Sequence, residues 1–158
     1  MNEMIKKGLG FGITSAVITT LGIIVGMHSS TNMREAILGA ILVIAFADSM
    51  ADGLGIYFSE RSRENCKPSE PWIAFASAFL GKFIFALTFT VPIFIFHNLH
   101  TGVIIDLVYG LILLVTFTYF NAKEKKENIM LMISFHVVLA VVVITAAHFI
   151  GNWINSVI

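Results

Sequence analysis

The chain has 158 residues, of which 57% are hydrophobic and only 13% are charged, and its formal net charge at pH 7 is zero. This composition excludes an ordinary soluble domain, which needs more polar surface, and is typical of an integral membrane protein. The zero net charge gives no indication of a nucleic-acid partner.

Five apolar segments follow one another along the chain, each close to or above the ~20 residues that cross a bilayer as a helix. They cover residues 8–27, 36–58, 72–96, 102–120 and 129–151. None shows the period-two alternation of membrane strands. The first segment follows two lysines but is too long for a signal peptide. The sequence therefore predicts an all-α integral membrane protein with five transmembrane helices in a single domain, residues 1–158.

The positively charged residues are concentrated in connections that share one side of the membrane if the helices alternate in direction. These residues are Lys6, Lys7, Arg61, Arg63, Lys67, Lys123, Lys125 and Lys126. The opposite side holds only Arg34. By the positive-inside rule, the N-terminus is predicted to be cytoplasmic and the C-terminus outside. Without a targeting segment, the predicted location is the cell (cytoplasmic) membrane, as a multi-pass protein.

Small residues recur every four positions in the first two segments. They form the stripes Gly8–Gly12–Ala16 and Ala47–Ala51–Gly55. Such stripes let helix backbones approach closely inside a membrane. We expect the first and second helices to form the tightly packed pair, either within one monomer or as part of a homo-oligomer.

Two carboxylates, Asp48 and Asp52, lie one helical turn apart inside the second segment. Asp48 is about twelve residues into it, which places this residue ~18 Å deep, near the middle of a bilayer. A carboxylate that faces lipid there costs at least ~2.5 kcal/mol, so both are expected to face protein or water. Such a pair holds either protons or a metal ion, and Ser49 and Met50 add a hydroxyl and a thioether. These four residues are the predicted metal site.

Lys82 and His136 are ionisable side chains predicted at a similar depth. Lys82, which lies ~15 Å into the third segment, either pairs with Asp48 as a structural ion pair or acts as the titrating partner of a transport site. His136 is either a metal ligand or proton relay, or an interhelical hydrogen-bonding group.

Other polar residues extend this set along the predicted path. Ser15 and Thr19 in the first segment either line a path or bond to the preceding turn of their own helix. Glu60 and Glu64 continue toward the predicted cytoplasmic side, where they would concentrate cations. The chain shows no nucleophile elbow, P-loop, zinc motif or dinucleotide fingerprint, so neither enzyme activity nor a resident cofactor is predicted.

Residues 18–26 read ITTLGIIVG, residues 53–64 read GLGIYFSERSRE, and residues 71–83 read PWIAFASAFLGKF, with a later Pro92. Together with the five-helix layout and AAHFIG in the last segment, these stretches resemble the vacuolar iron transporter family over nearly the whole chain. The chain resembles a minimal, prokaryotic-type member that lacks the cytoplasmic metal-binding domain. Only SERSRENCKPSEP connects the second and third segments.

The resemblance implies proton-coupled export of Fe²⁺ or Mn²⁺ by a homodimer, with the path between the subunits. It also shows departures from the family pattern. The family's first-helix aspartate falls on Ser15, its second-helix methionine on Asp52 and its second-helix glutamate on Ile56. The acids of this chain are instead Asp48 and Asp52, both in the second helix.

The sequence therefore predicts a proton-coupled antiporter of divalent metal ions. Its expected partners are the lipid bilayer, a second copy of the chain, divalent cations and protons. The alternative is a non-transporting scaffold or complex subunit, in which Asp48, Asp52 and Lys82 only hold helices together.

Overall fold

The computed structural model describes residues 3–157, which form six helices and contain no strand. Their bounds are α1 Glu3–Ser30, α2 Arg34–Arg61, α3 Glu70–Thr88, α4 Thr90–Ile95, α5 Leu99–Lys125 and α6 Ile129–Val157. The helices exceed the predicted segments at most ends because polar turns continue them beyond their apolar centres.

Five helices are long and apolar enough to cross a membrane when α3 and α4 are taken as one span, Glu70–Ile95. This confirms the prediction of an all-α, multi-pass membrane protein. The longest uninterrupted connection runs between α2 and α3, where residues 62–69 form turns. The five spans are otherwise joined by short connections.

The third predicted helix is interrupted at Phe89, which separates α3 from α4. Pro92 lies three residues further on and has no N–H to donate to the carbonyl of Thr88, four residues back. Hydroxyl groups replace part of the lost helical bonding. Thr88 donates to the carbonyl of Phe85 at 2.6 Å, and Thr90 donates to that of Leu87 at 2.7 Å. The prediction of one continuous helix over 72–96 is thus wrong at this point.

Ion pairs fix which helix ends lie together. Lys6 at the start of α1 pairs with Glu124 at the end of α5, and Lys7 pairs with Glu60 at the end of α2. We call this side the amino-terminal end of the bundle, and the side where α1 and α6 finish the carboxy-terminal end. At the carboxy-terminal end, Arg34 donates to the carbonyls of the last residues of α4 and of its following turn, including Phe96 at 2.7 Å.

The glycines of α1 determine its neighbours. A Cβ on Gly12 would lie 2.4 Å from the carbonyl oxygen of Ala78, so this face of α1 touches the backbone of α3. Further along, a Cβ on Gly22 would lie 2.9 Å from Val143 of α6. By contrast, a Cβ on Gly55 of α2 would meet nothing within 4 Å. The expectation that the first and second helices form the tightly packed pair is therefore wrong: the stripe of α1 faces α3, and that of α2 is exposed.

The main core lies between α1, the first half of α2, α4 and α5. Its fully buried members include Leu21, Ile24, Ile37, Phe89 and Ile93. α6 has only Ala140 and Gly151 buried and otherwise presents apolar side chains outward. α2 likewise exposes a row of large apolar side chains, as expected for a surface in contact with lipid or another protein.

Candidate functional site

A charged cluster lies between α1, α2 and α3, near the middle of each helix. Lys82 of α3, which is 0% exposed, forms ion pairs with Asp48 and with Asp52, the latter at 2.6 Å between Nζ and Oδ2. Ser15 of α1 completes the cluster: its hydroxyl donates to Asp52 Oδ2 at 2.6 Å and accepts from Lys82 Nζ at 2.9 Å. We refer to Ser15, Asp48, Asp52 and Lys82 as the Lys82 cluster.

Local sequence explains why these side chains meet. Asp48 and Asp52 are four residues apart, so they share one face of α2. Lys82 belongs to the buried face of α3, together with Ala78 and Gly81. The lack of a side chain on Gly12 lets α1 and α3 touch, which brings Ser15, almost one turn later, within hydrogen-bonding distance of the ammonium group.

The two carboxylates are unequally covered. The side chain of Asp48 is 33% exposed and that of Asp52 is 22% exposed, whereas Lys82 is fully enclosed. The exposed residues Ala51 and Gly55 follow Asp48 and Asp52 by three positions, so they border the same face of α2. The cluster is thus closed by Lys82 on its inner side and accessible from the surface of α2.

Ser49 and Met50 do not join the carboxylates, although both were predicted as metal ligands. Successive helix residues point about 100° apart, so four neighbours on α2 cannot all face one point. Ser49 is fully buried with no hydrogen-bond partner for its hydroxyl, and Met50 is exposed on the outer surface. Only Asp48 and Asp52 of the predicted metal site therefore contact Lys82.

Glu60 and Glu64 have different environments from those expected for cation-attracting groups. Glu60 is only 1% exposed and pairs with Lys7 of α1 and, at 3.7 Å, with Arg63. It fastens α2 to α1 at the amino-terminal end. Glu64 is exposed in the turns between α2 and α3.

Thr19 and His136 both bond within their own helices. The hydroxyl of Thr19 donates to the carbonyl of Ser15 at 2.9 Å. His136 Nδ1 lies 2.9 Å from the carbonyl of Met132 in α6. Because α6 packs mainly on α1 and α5, His136 is separated from the Lys82 cluster by a helix.

Two polar features of the structure were not predicted from the sequence. Asp106 of α5 is fully buried, and neither of its carboxyl oxygens has a hydrogen-bond partner. At the carboxy-terminal end, His28, His100 and His148 line one cavity of about 470 Å³. The rings of His28 and His100 are 5.5 Å apart, whereas both nitrogens of His148 are engaged, at 2.8 Å by Ser29 and at 3.0 Å by Asn152.

The spacing of small residues in the sequence indicates that Asp106 is buried. Asp106 stands midway between Gly102 and Gly110, at four-residue spacing, on the closely packed face of α5. The histidines come from three separate helices, so only the tertiary structure shows that they meet.

Residues 3–157 contain no group of three or more His, Cys, Asp and Glu side chains placed to hold one metal ion. A cation at the Lys82 cluster would therefore bind two carboxylates and the Ser15 hydroxyl, with water as the remaining ligands. No protein-family model, curated protein or solved structure matches the chain.

Proposed function

We propose that the chain is a membrane carrier that exchanges a divalent cation, Fe²⁺ or Mn²⁺, for protons at the Lys82 cluster. The observation that carries this proposal is a fully buried lysine bound to two partly exposed carboxylates near the middle of three membrane-length helices. Ionisable groups at such depth are costly and are typically retained for ion or proton pathways.

The net charge of the Lys82 cluster is the basis for the proposed exchange of a cation for protons. Two carboxylates and one ammonium leave one uncompensated negative charge, which is unfavourable in a low-dielectric environment. One added proton on a carboxyl group neutralises it. Alternatively, a divalent cation neutralises both carboxylates once Lys82 has lost its proton. The two neutral states differ by two protons and one divalent cation, which sets the expected stoichiometry.

The ligands favour hard or borderline cations. Carboxylate and hydroxyl oxygens suit Mn²⁺ and Fe²⁺ better than they suit soft ions such as Cu⁺. Met50, the one soft ligand predicted near the carboxylates, points to the outer surface. We therefore expect Mn²⁺ and Fe²⁺ to compete for the same two carboxylates.

We further propose that the carrier is a homodimer in the cell membrane with a cytoplasmic N-terminus. A carboxylate that remains 33% exposed on a lipid-facing helix would be unstable without a cover. The exposed stripe Ala47–Ala51–Gly55 lies on the same helix and allows a second α2 to approach closely. The Lys82 cluster would then open between the two copies.

The test is metal uptake by proteoliposomes, followed with an enclosed metal-sensitive dye, for Mn²⁺, Fe²⁺ and Ca²⁺ with and without a pH gradient. Asp52→Asn keeps the shape of the side chain and removes one negative charge. We expect its Mn²⁺ uptake to fall to that of protein-free liposomes. Ser49→Ala is the matched control, because it changes a neighbouring residue of α2 that does not contact the cluster. Equal uptake by wild type and Asp52→Asn would refute the proposed site.

A second candidate function is a non-transporting subunit of a membrane complex. It is favoured by the fact that Lys82 already binds both carboxylates and Ser15, which ties together three helices without any cation. In that case no cation moves in the liposome assay, and the only measurable role of the cluster is its contribution to stability.

A further inference from the structure

Asp106 is the one aspartate of the chain that lies outside the Lys82 cluster. The sequence has three aspartates, Asp48, Asp52 and Asp106, and each lies within a membrane-length helix. The first two bind Lys82. Asp106 is 0% exposed, and both its carboxyl oxygens lack a hydrogen-bond partner. Most buried polar groups have a hydrogen-bond partner, so a buried carboxyl group without one requires an explanation.

The packing of α5 defines what Asp106 faces. On one side along the helix, a Cβ on Gly102 would lie 3.1 Å from the carbonyl oxygen of Pro92 in α4. On the other, a Cβ on Gly110 would lie 2.8 Å from the side chain of Leu21 in α1. Asp106 stands between these glycines on the same face, so it faces the seam between α4 and α1.

The interruption between α3 and α4 lies at this seam between α4 and α1. Tyr109, almost one turn after Asp106, donates from its hydroxyl to Thr88 Oγ1 at 2.9 Å, where α3 ends. Interrupted membrane helices expose backbone polar groups, and ion and proton sites are commonly built beside them. Asp106 is thus a buried carboxyl group within one helical turn of a residue that bonds to this interruption.

Among the described residues, no cationic side chain pairs with Asp106. The lysines of α1 lie at the amino-terminal end, α4 carries no ionisable side chain, and α6 carries only histidines. At the carboxy-terminal end, the guanidinium of Arg34 donates to backbone carbonyls of α4 and of its following turn, and His28, His100 and His148 lie around the cavity. An unpaired carboxylate in a dry interior costs several kcal/mol, so the carboxyl group is stable there while it carries a proton.

We infer that Asp106 is a second intramembrane proton-binding site, separate from the Lys82 cluster and facing the interruption between α3 and α4. It lies about six residues, or ~9 Å along the helix axis, from His100, whose side chain lines the cavity. Thr88 is likewise six residues, ~9 Å, beyond Lys82 along α3. Asp106 thus stands between the Lys82 cluster and the carboxy-terminal end.

Within the proposed carrier, Asp106 exchanges protons with the carboxy-terminal side while the Lys82 cluster exchanges the cation. This role rests on the proposed function, whereas reversible proton binding at Asp106 does not. The step involves only the O–H bond of the carboxyl group, which breaks to leave a carboxylate and a released proton.

Infrared spectroscopy of the whole protein in lipid tests the proton site directly. Labelling with ¹³C-aspartate restricts the carbonyl stretching band of protonated carboxyl groups to three residues. We expect a protonated-aspartate band near neutral pH that disappears reversibly as the pH is raised. Asp106→Asn removes the contribution of Asp106 and weakens this band, whereas Thr118→Val, which alters another buried and unpartnered group of α5, retains the full band.

A second variant covers the case in which Asp106→Asn fails to fold. The combined variant Lys82→Met, Asp48→Asn, Asp52→Asn leaves Asp106 as the sole aspartate of the chain. Its labelled protein must still show the protonated band. The inference is overturned if Asp106→Asn leaves the wild-type band at full strength, or if the band is missing from the combined variant.

The same proteins distinguish this inference from the proposed function. One outcome is a protein that shows a band dependent on Asp106 and yet moves no cation into liposomes. That result supports the proton site at Asp106 and refutes the proposed carrier function. In a working carrier, Asp106→Asn is expected to retain Mn²⁺ binding and to lose the acceleration of uptake by a pH gradient.

Discussion

Removal of the lysine from the Lys82 cluster should be the most destabilising single charge change in the molecule. In Lys82→Met, the two carboxylates lose their shared cation and face each other across a single helical turn. Breaking a buried ion pair by removing one partner costs about 3–5 kcal/mol. Because Asp48 and Asp52 keep exposures of 33% and 22%, we expect a loss near the lower end, about 3 kcal/mol in the free energy of unfolding.

The measurement is reversible unfolding of the purified protein in mixed detergent micelles, followed by loss of helical circular dichroism. Lys6→Met is the matched control, since the pair of Lys6 with Glu124 is 39% and 52% exposed and should contribute only ~0–1 kcal/mol. The combined variant Lys82→Met, Asp48→Asn, Asp52→Asn removes all three charges and should recover most of the loss, because neutral replacement of a whole buried ion cluster is often harmless. A Lys82→Met protein as stable as Lys6→Met, or a combined variant no better than Lys82→Met, would refute the reasoning.

Two further predictions concern packing and capping. Gly12→Ala should destabilise by about 1–3 kcal/mol because its Cβ would lie 2.4 Å from a backbone oxygen of Ala78, whereas Gly39→Ala, with no atom within 4 Å, should gain about 0.5–1 kcal/mol. The same unfolding assay measures both, and equal effects would contradict the assigned contact between α1 and α3. Arg34→Met should lose about 2 kcal/mol because the carbonyls after α4 lose their shared donor, while Arg61→Met should change stability by less than about 0.5 kcal/mol. Indistinguishable melting of these two variants would argue against Arg34 as a cap.

The aspartates of α2 show which features of the site could be predicted from the local sequence. Their burial in α2 and their shared face follow from hydropathy and helical spacing, and the structure places both against Lys82, a pairing the sequence left open. Ser49 is buried without a hydrogen-bond partner and Met50 is exposed, because residues adjacent in sequence point in different directions on a helix. Glu60 was expected at an open mouth, and it is instead buried by Lys7 from another helix.

The sequence by itself determined the five membrane-length helices and the gathering of basic residues at one end of the bundle. Both depend on local properties, namely the length of apolar runs and the charge of the connections between them. Only the tertiary structure decided that α1 meets α3 through Gly12, that Lys82 lies between two carboxylates, and that Asp106 faces the interrupted span. Helices that are apolar on every side carry little periodic signal for which face turns inward. The inward face of each helix is then determined by close backbone contacts and buried charges, which exist only once the helices are assembled.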